Sequence, residues 1–333
     1  MAGKITVSRL TAFVSKYSIF VILAGAFLIS TILNRNFLST ANLSNIMKQN
    51  SIVAILAFGE TMLIIAGLID LSNGAVLALA GVLSVAVYKA TGSLLLATAV
   101  GLGIGILCNT VSGLLASLFK TPPFIATLAV MTMARGFALL YTSGQSIYQI
   151  GNFVVLGQGT LFFIPIPIIF MALILLVTWY ILNNTRLGRS LYAIGGNEEA
   201  ANASGIQVSK SKFIIYLING VFVGLAGVLF MSRNNAGLPA AAQGYEFEAL
   251  TAAVIGGTSF SGGIGTAMGT LAGAFIVGIL NNIMNLLGVN SYIQQIVKGI
   301  IIALAVIMDI RAKNNRARPK ELAGELERKL EAK

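Results

Sequence analysis

Four charged side chains interrupt runs of sequence that are otherwise apolar: Glu60, Asp70, Arg135 and Lys298. In a lipid-facing setting each would cost roughly 3 kcal/mol on insertion scales, so each is expected to face a partner, a cavity or a route for polar cargo. Glu60, midway along its run, reads either as part of a route or gate, or as a protonated or ion-paired packing element. Asp70, beside Ser72 and Asn73, either caps the helix that follows or meets a ligand. Arg135 needs a counter-charge, with Glu60 and Asp70 as candidates, or backbone carbonyls. Lys298 either snorkels to an interface or pairs. Glu60, Asp70 and Arg135 together also have the chemistry of a proton relay.

A second constellation is neutral. Asn282 and Asn285 lie three residues apart, and Asn281 and Asn285 four, so all three share one helical face. Amides both donate and accept, which suits hydroxyl-rich cargo. The same chemistry serves interhelical hydrogen bonds. Histidine is absent, which removes the commonest general base and metal ligand. The lone cysteine, Cys108, lies in an apolar run and reads as a small core residue.

These residues must be positioned by helices in a bilayer. Of 333 residues 56% are hydrophobic and 10% charged, against about a quarter charged in a soluble domain. Ten stretches approach the length of a span, roughly 13–33, 51–69, 74–90, 93–118, 122–142, 162–182, 211–232, 246–257, 266–287 and 291–309. The first is longer than the apolar core of a signal peptide and is read as a retained span. The stretch 246–257 is short, so it is either a half-span or begins nearer Ala240. Asn36 to Gln49 is too polar to span and is spaced like an interfacial helix. Gly220 with Gly224, and Gly269 with Gly273, are small-xxx-small pairs suited to close helix packing. Residues 67–74 and 256–263 are two glycine-flanked breaks of similar spelling, which suggests an internal repeat with broken helices.

The net charge of +11 follows the membrane rather than nucleic acid. With ten spans and a cytoplasmic N-terminus, Lys4, Arg9, Lys16, Lys120, Arg186, Arg189, Lys210, Lys212 and the basic residues of the tail lie inside. Arg35, Lys48, Lys89 and Arg233 lie outside. Both termini are then cytoplasmic. The chain divides into a membrane domain over 1–310 and a charged tail over 311–333.

The marked loop runs from Asn183 to Ser209 on the cytoplasmic side. Asn197 is placed to cap a short helix over Glu198–Ala203, with Glu198 and Glu199 in its first turn and Gly205 as its stop. An exposed helix between spans offers a grip to a partner protein. Gly188-Arg189-Ser190, then Ala193-Ile194-Gly195-Gly196-Asn197-Glu198, then Ala200, Ala201, Ser204, Gly205 and Ile206, resemble the cytoplasmic coupling segment of sugar-importer permeases of the ATP-binding-cassette class, the ribose branch most of all. The resemblance continues through Gly67 to Ser72, Pro123 to Leu128 with Met131 to Gly136, Ile255 to Gly263, and Leu280-Asn281-Asn282 through Asn285 to Val289. Glu60, Asn73 and the long charged tail depart from that pattern.

The resemblance implies an all-α integral membrane protein of the type II-like importer permease fold with about ten transmembrane helices. It implies a dimer of two copies in a bacterial inner membrane. ATP-binding subunits would dock inside, and a sugar-binding protein would deliver ribose or a related monosaccharide from outside. Coupling to the ATPase is expected at Gly188, Arg189, Ala193, Ile194, Gly195, Gly196, Asn197, Glu198, Ala200 and Gly205, and the translocation route at Glu60, Asp70, Arg135, Asn281, Asn282 and Asn285. Independently, the chain has no Gly-x-x-x-x-Gly-Lys-Ser/Thr phosphate loop, so if transport uses ATP, the ATP and its Mg²⁺ are expected on another polypeptide and no cofactor on this chain. It is expected to be a transport subunit, not an enzyme, with no nucleic-acid partner. The alternatives are a permease for branched-chain amino acids and an ion-coupled secondary transporter.

Overall fold

The computed structural model describes residues 18–307 together with 309 and 311. The expected start of the first span at 13–17 and the tail from 312 onward lie outside the described residues. Among the described residues seven helices are long and apolar enough to cross a membrane. They are α2 (Thr40–Ile65), α3 (Asn73–Thr91), α4 (Leu94–Gly113, continued by a π turn over Leu114–Leu118), α5 (Pro123–Thr142), α7 (Ile166–Asn184), α10 (Val208–Asn234) and α12 (Ala267–Leu286). The shorter apolar helices α1 (Ser18–Leu33) and α13 (Ser291–Ile307) flank them. A one-turn helix α6 (Val155–Gln158) and a two-stranded hairpin, β1 (Thr160–Leu161) with β2 (Ile164–Pro165), fill the connection between α5 and α7.

The polar stretch 36–49 is not a separate interfacial helix. Arg35–Leu38 makes one 3-10 turn, and Ser39 then caps a single 26-residue helix, α2, through its Oγ. The polarity that argued against a span is spent on neighbours. Asn42 and Asn282 exchange two amide bonds of 3.1 and 2.8 Å, and Asn45 accepts from Arg233 at 2.9 Å. From Asn50 to Ile65 every residue of α2 is buried, so protein surrounds this helix on all sides.

Glycine sets the packing around it. Gly220 and Gly224 of α10 lie on Gly105 and Gly101 of α4, where an added Cβ would meet backbone at 2.6 and 2.5 Å. Gly269 and Gly273 of α12 lie equally close to the carbonyls of Gly256 and Ala252. Both pairs therefore work as close-approach points.

α2 and α10 run antiparallel. Arg233, in the last turn of α10, reaches Asn45 near the start of α2. After α2 the chain turns back at Gly67 (φ 74°) and re-enters the bundle. The Asp70 N–H donates to Glu60 Oε1, so this turn lies more than a helical turn inside the end of α2. After α10 the loop 235–244 likewise folds inward and opens α11 (Tyr245–Ile255), an 11-residue half-helix. The N-termini of α3 and α11 meet in the interior, where Gly74 packs on Ala242 O and the Glu246 carboxylate. The two similar-looking breaks are thus neighbours rather than counterparts. Gly263 N–H donates to Ile65 O at 2.9 Å, and both segments share a need for left-handed glycine, at Gly67, Gly257, Gly262 and Gly263. Like the turn at 66–72, the loop 235–244 follows a long buried helix and opens a helix that starts in the interior.

Candidate functional site

The interior break gathers polar groups that are distant in sequence. Glu60, on buried α2, and Asp70, in the turn before α3, are both 0% exposed. Glu60 Oε1 accepts the Asp70 N–H at 3.2 Å and Oε2 accepts Asn73 Nδ2 at 2.9 Å. Asp70 Oδ1 accepts the Ser72 N–H and hydroxyl at 2.8 and 2.6 Å. Its Oδ2 accepts Asn219 Nδ2 from α10 at 2.8 Å. Asn219 Nδ2 also reaches Asn73 Oδ1 and Asn109 Oδ1. Because that nitrogen faces a carboxylate, Asn219 Oδ1 turns to Gly59, where a Cβ would collide with it. Among the described residues no basic side chain makes these contacts. Backbone and amide N–H groups and the positive end of α3 meet the carboxylates instead.

Arg135 does not join them. It donates to Pro239 O and Ala241 O at 2.7 and 2.8 Å, tying α5 to the loop that re-enters before α11. Of the partners open to Arg135 in the sequence, the structure selects backbone carbonyls, so the three charges do not form a relay in this conformation. Lys298 pairs with Glu248 at 2.5 Å, joining α13 to α11, with the side chains 33% and 11% exposed. Asn281 donates to the same Glu248 oxygen at 3.3 Å. The asparagine row does not act on one object. Asn281 turns to α11, Asn282 to Asn42 of α2, and Asn285 accepts from Gln294 of α13 at 2.9 Å.

Asn109, Asn219, Glu246 and Glu248 were not singled out from the sequence. The signal was there, a polar residue inside an apolar run, but amides stand out less than charges, and the two glutamates lie in a stretch too short to read as a span. Cys108 is partly buried against the core rather than inside it, and lines an apolar cavity of about 350 Å³ between α3, α4 and α5.

The loop Asn183–Ser209 is more structured than its composition suggests. Thr185 caps α8 (Arg186–Gly196) through its hydroxyl, at 3.1 Å from Gly188 N. Asn197 Oδ1 caps α9 (Glu198–Ala203) at 2.9 Å from Ala200 N, and Gly205 (φ 83°) ends it. α8 itself was not foreseen, because three glycines and two arginines obscure its amphipathic pattern. Glu198 pairs with Lys212 of α10 at 2.7 Å. The ten expected coupling residues divide by side. Arg189, Gly196, Asn197, Glu198, Ala200 and Gly205 are exposed, whereas Gly188 and Ile194 are buried and Ala193 and Gly195 are intermediate. Gly188 packs on the carbonyls of α7, and Gly195 on Ile65 and Gly263. Lys48, Lys89 and Arg233 bond at the opposite end of the bundle, to Gln158 O, Tyr148 O and Asn45.

Residues 42–306 match the family described as branched-chain amino acid transport system / permease component. The chain is 44% identical over 285 residues to the ribose import permease protein RbsC of Bacillus subtilis (strain 168), covering 85% of this chain and 88% of that protein. It is 37% identical to the D-allose transport system permease protein AlsC of Escherichia coli (strain K12), covering 89% and 92% of the two chains. It is 36% identical to the L-arabinose transport system permease protein AraH of the same strain, covering 88% and 90%. No solved structure matches the chain.

Proposed function

The chain belongs to the branched-chain amino acid transport system / permease component family, and we propose that it is the membrane subunit of an ATP-binding-cassette importer that moves ribose or a related monosaccharide by alternating access. It is a transport subunit and not an enzyme. The relatives named for ribose, allose and arabinose favour the sugar branch over branched-chain amino acids. Two copies would form the route in a bacterial inner membrane with both termini cytoplasmic. ATPase subunits, which carry ATP and Mg²⁺, would dock on the cytoplasmic face. A binding protein would hand over sugar from outside.

The observation that carries this reading is the α8–α9 pair. Both helices are capped by their own side chains, fastened to α10 by Glu198–Lys212, and turned with Arg189, Gly196, Asn197 and Glu198 to the outside. A simple connector needs only about 2–8 residues. Glu60 and Asp70 serve the route by holding the shape of the break, since both are fully buried and hydrogen-bonded. Glu248, Lys298 and Asn281, and Arg135 with its loop, are the polar groups that rearrange as the half-helix α11 moves. The test is labelled-ribose uptake into cells of this chain's source. Uptake that tracks cellular ATP and survives a protonophore supports the reading, and uptake abolished by the protonophore at unchanged ATP contradicts it.

A further inference from the structure

The inner face of α8 meets two other elements at a single point, through backbone. α2 ends at Ile65, whose carbonyl would ordinarily be one of the unpaired acceptors at a helix C-terminus. Here it accepts the Gly263 N–H at 2.9 Å, from the loop that leaves α11. Gly195, in the last turn of α8, lies over this bond: a Cβ there would fall on Ile65 O and within 2.5 Å of Gly263 N. A Cβ on Gly262 would in turn lie 2.7 Å from Gly195 O. One turn earlier, the Tyr192 hydroxyl donates to Gly265 O at 2.7 Å. Burial pushes that hydroxyl above its usual range, so it remains a donor at neutral pH. Gly196, the next residue, has nothing within 4 Å of where its Cβ would be.

Each element gripped at this point leads to a helix that meets the other in the interior: α2 to the start of α3, and the loop 256–266 to the half-helix α11. Glu60 lies about 7.5 Å up α2 from Ile65 and holds Asp70 N–H and Asn73, the residues that open α3. The loop 256–266 begins where α11 ends, and α11 starts against Gly74 of α3. Helices without proline transmit an axial displacement, and backbone-to-backbone contact leaves no flexible side chain to absorb it.

We infer that Tyr192 and Gly195 are positioning residues for transport: they seat α8 on the ends of α2 and α11 at once, so that movement of the α8–α9 loop reaches the start of α3 and the half-helix α11 together. This rests on the reading of α8–α9 as the ATPase contact. It divides the expected coupling residues into an outer set that meets the partner and an inner set that passes its motion on.

The experiment uses the complete transporter, permease with its ATPase subunits, in liposomes with ribose-loaded binding protein. It reads co-purification of the ATPase, ribose moved per ATP hydrolysed, and melting temperature. Tyr192→Phe is expected to keep the ATPase bound while ribose moved per ATP falls about fivefold, the worth of one neutral hydrogen bond. Gly195→Ala is expected to lower the ratio further. Should Gly195→Ala fail to fold, Tyr192→Phe decides alone. An unchanged ratio in Tyr192→Phe, even with a lower melting temperature, overturns the inference, because a purely structural bond would give that result. Loss of the ATPase in Tyr192→Phe overturns it as well. The underlying reading is tested separately by Gly196→Trp on the outer face. Retention of the ATPase there sinks the docking role of α8–α9, whereas release of the ATPase there with a normal ratio in Tyr192→Phe sinks only the inference.

Discussion

Asn219 Nδ2 on α10 donates to Asp70 Oδ2 in the turn before α3 across 2.8 Å, and this bond ties the helix that leaves the α8–α9 loop to the interior break. Asp70 Oδ2 is completely enclosed, so removal of the donor leaves a buried acceptor short of a partner. Asn219→Leu should destabilise the chain by roughly 1–3 kcal/mol and impair uptake more than expression. Thermal unfolding in detergent alongside uptake checks this. An unchanged melting temperature would remove the bond from the account.

Glu60 separates the two transport chemistries the sequence left open. As a holder of the break it needs acceptors, not a transferable proton. Glu60→Gln should keep one of its two bonds, lose about 1 kcal/mol and retain most uptake, whereas Glu60→Leu should lose both bonds and fold poorly. A well-folded Glu60→Gln protein with no uptake would restore the proton-relay reading.

The Lys298–Glu248 pair joins α13 to the half-helix α11 in a largely buried setting. Lys298→Ala leaves Glu248 with the Asn281 amide as its remaining donor and should cost roughly 1–3 kcal/mol. The exchange Lys298→Glu with Glu248→Lys should recover much of that loss. Equal stability of the single and exchanged variants would show that the contact contributes nothing.

Gly224 touches the α4 backbone near Gly101 and Leu102. Gly224→Val forces the two helices apart and should destabilise the bundle by about 1–3 kcal/mol or more. The folded fraction after detergent extraction measures it. Gly103, on the same helix α4 but with open space at its Cβ position, should accept alanine with little change.

The sequence made the apolar frame readable because spans announce themselves by length and composition. Small-xxx-small spacing identified Gly220 and Gly224 before their partners on α4 were known. The cap at Asn197 and the stop at Gly205 were legible because local backbone chemistry fixes both. Polarity misled over 36–49, where Asn42 and Asn45 hydrogen-bond to other helices and the segment from Thr40 onward runs on into α2. The partners of Arg135 and Lys298 were not legible, since they lie on the loop 235–244 and on α11, brought near only by tertiary packing. The similar spelling of 67–74 and 256–263 goes with a shared demand for left-handed glycine, at Gly67, Gly257, Gly262 and Gly263.

The central claim, that this chain is the permease of an ATP-driven sugar importer, is tested most directly by purifying it from native membranes in mild detergent and assaying ATP hydrolysis with ribose-loaded binding protein. The account predicts a co-purifying ATPase whose activity rises when loaded binding protein is added. A chain that purifies without an ATPase, or with one indifferent to the loaded binding protein, would contradict it.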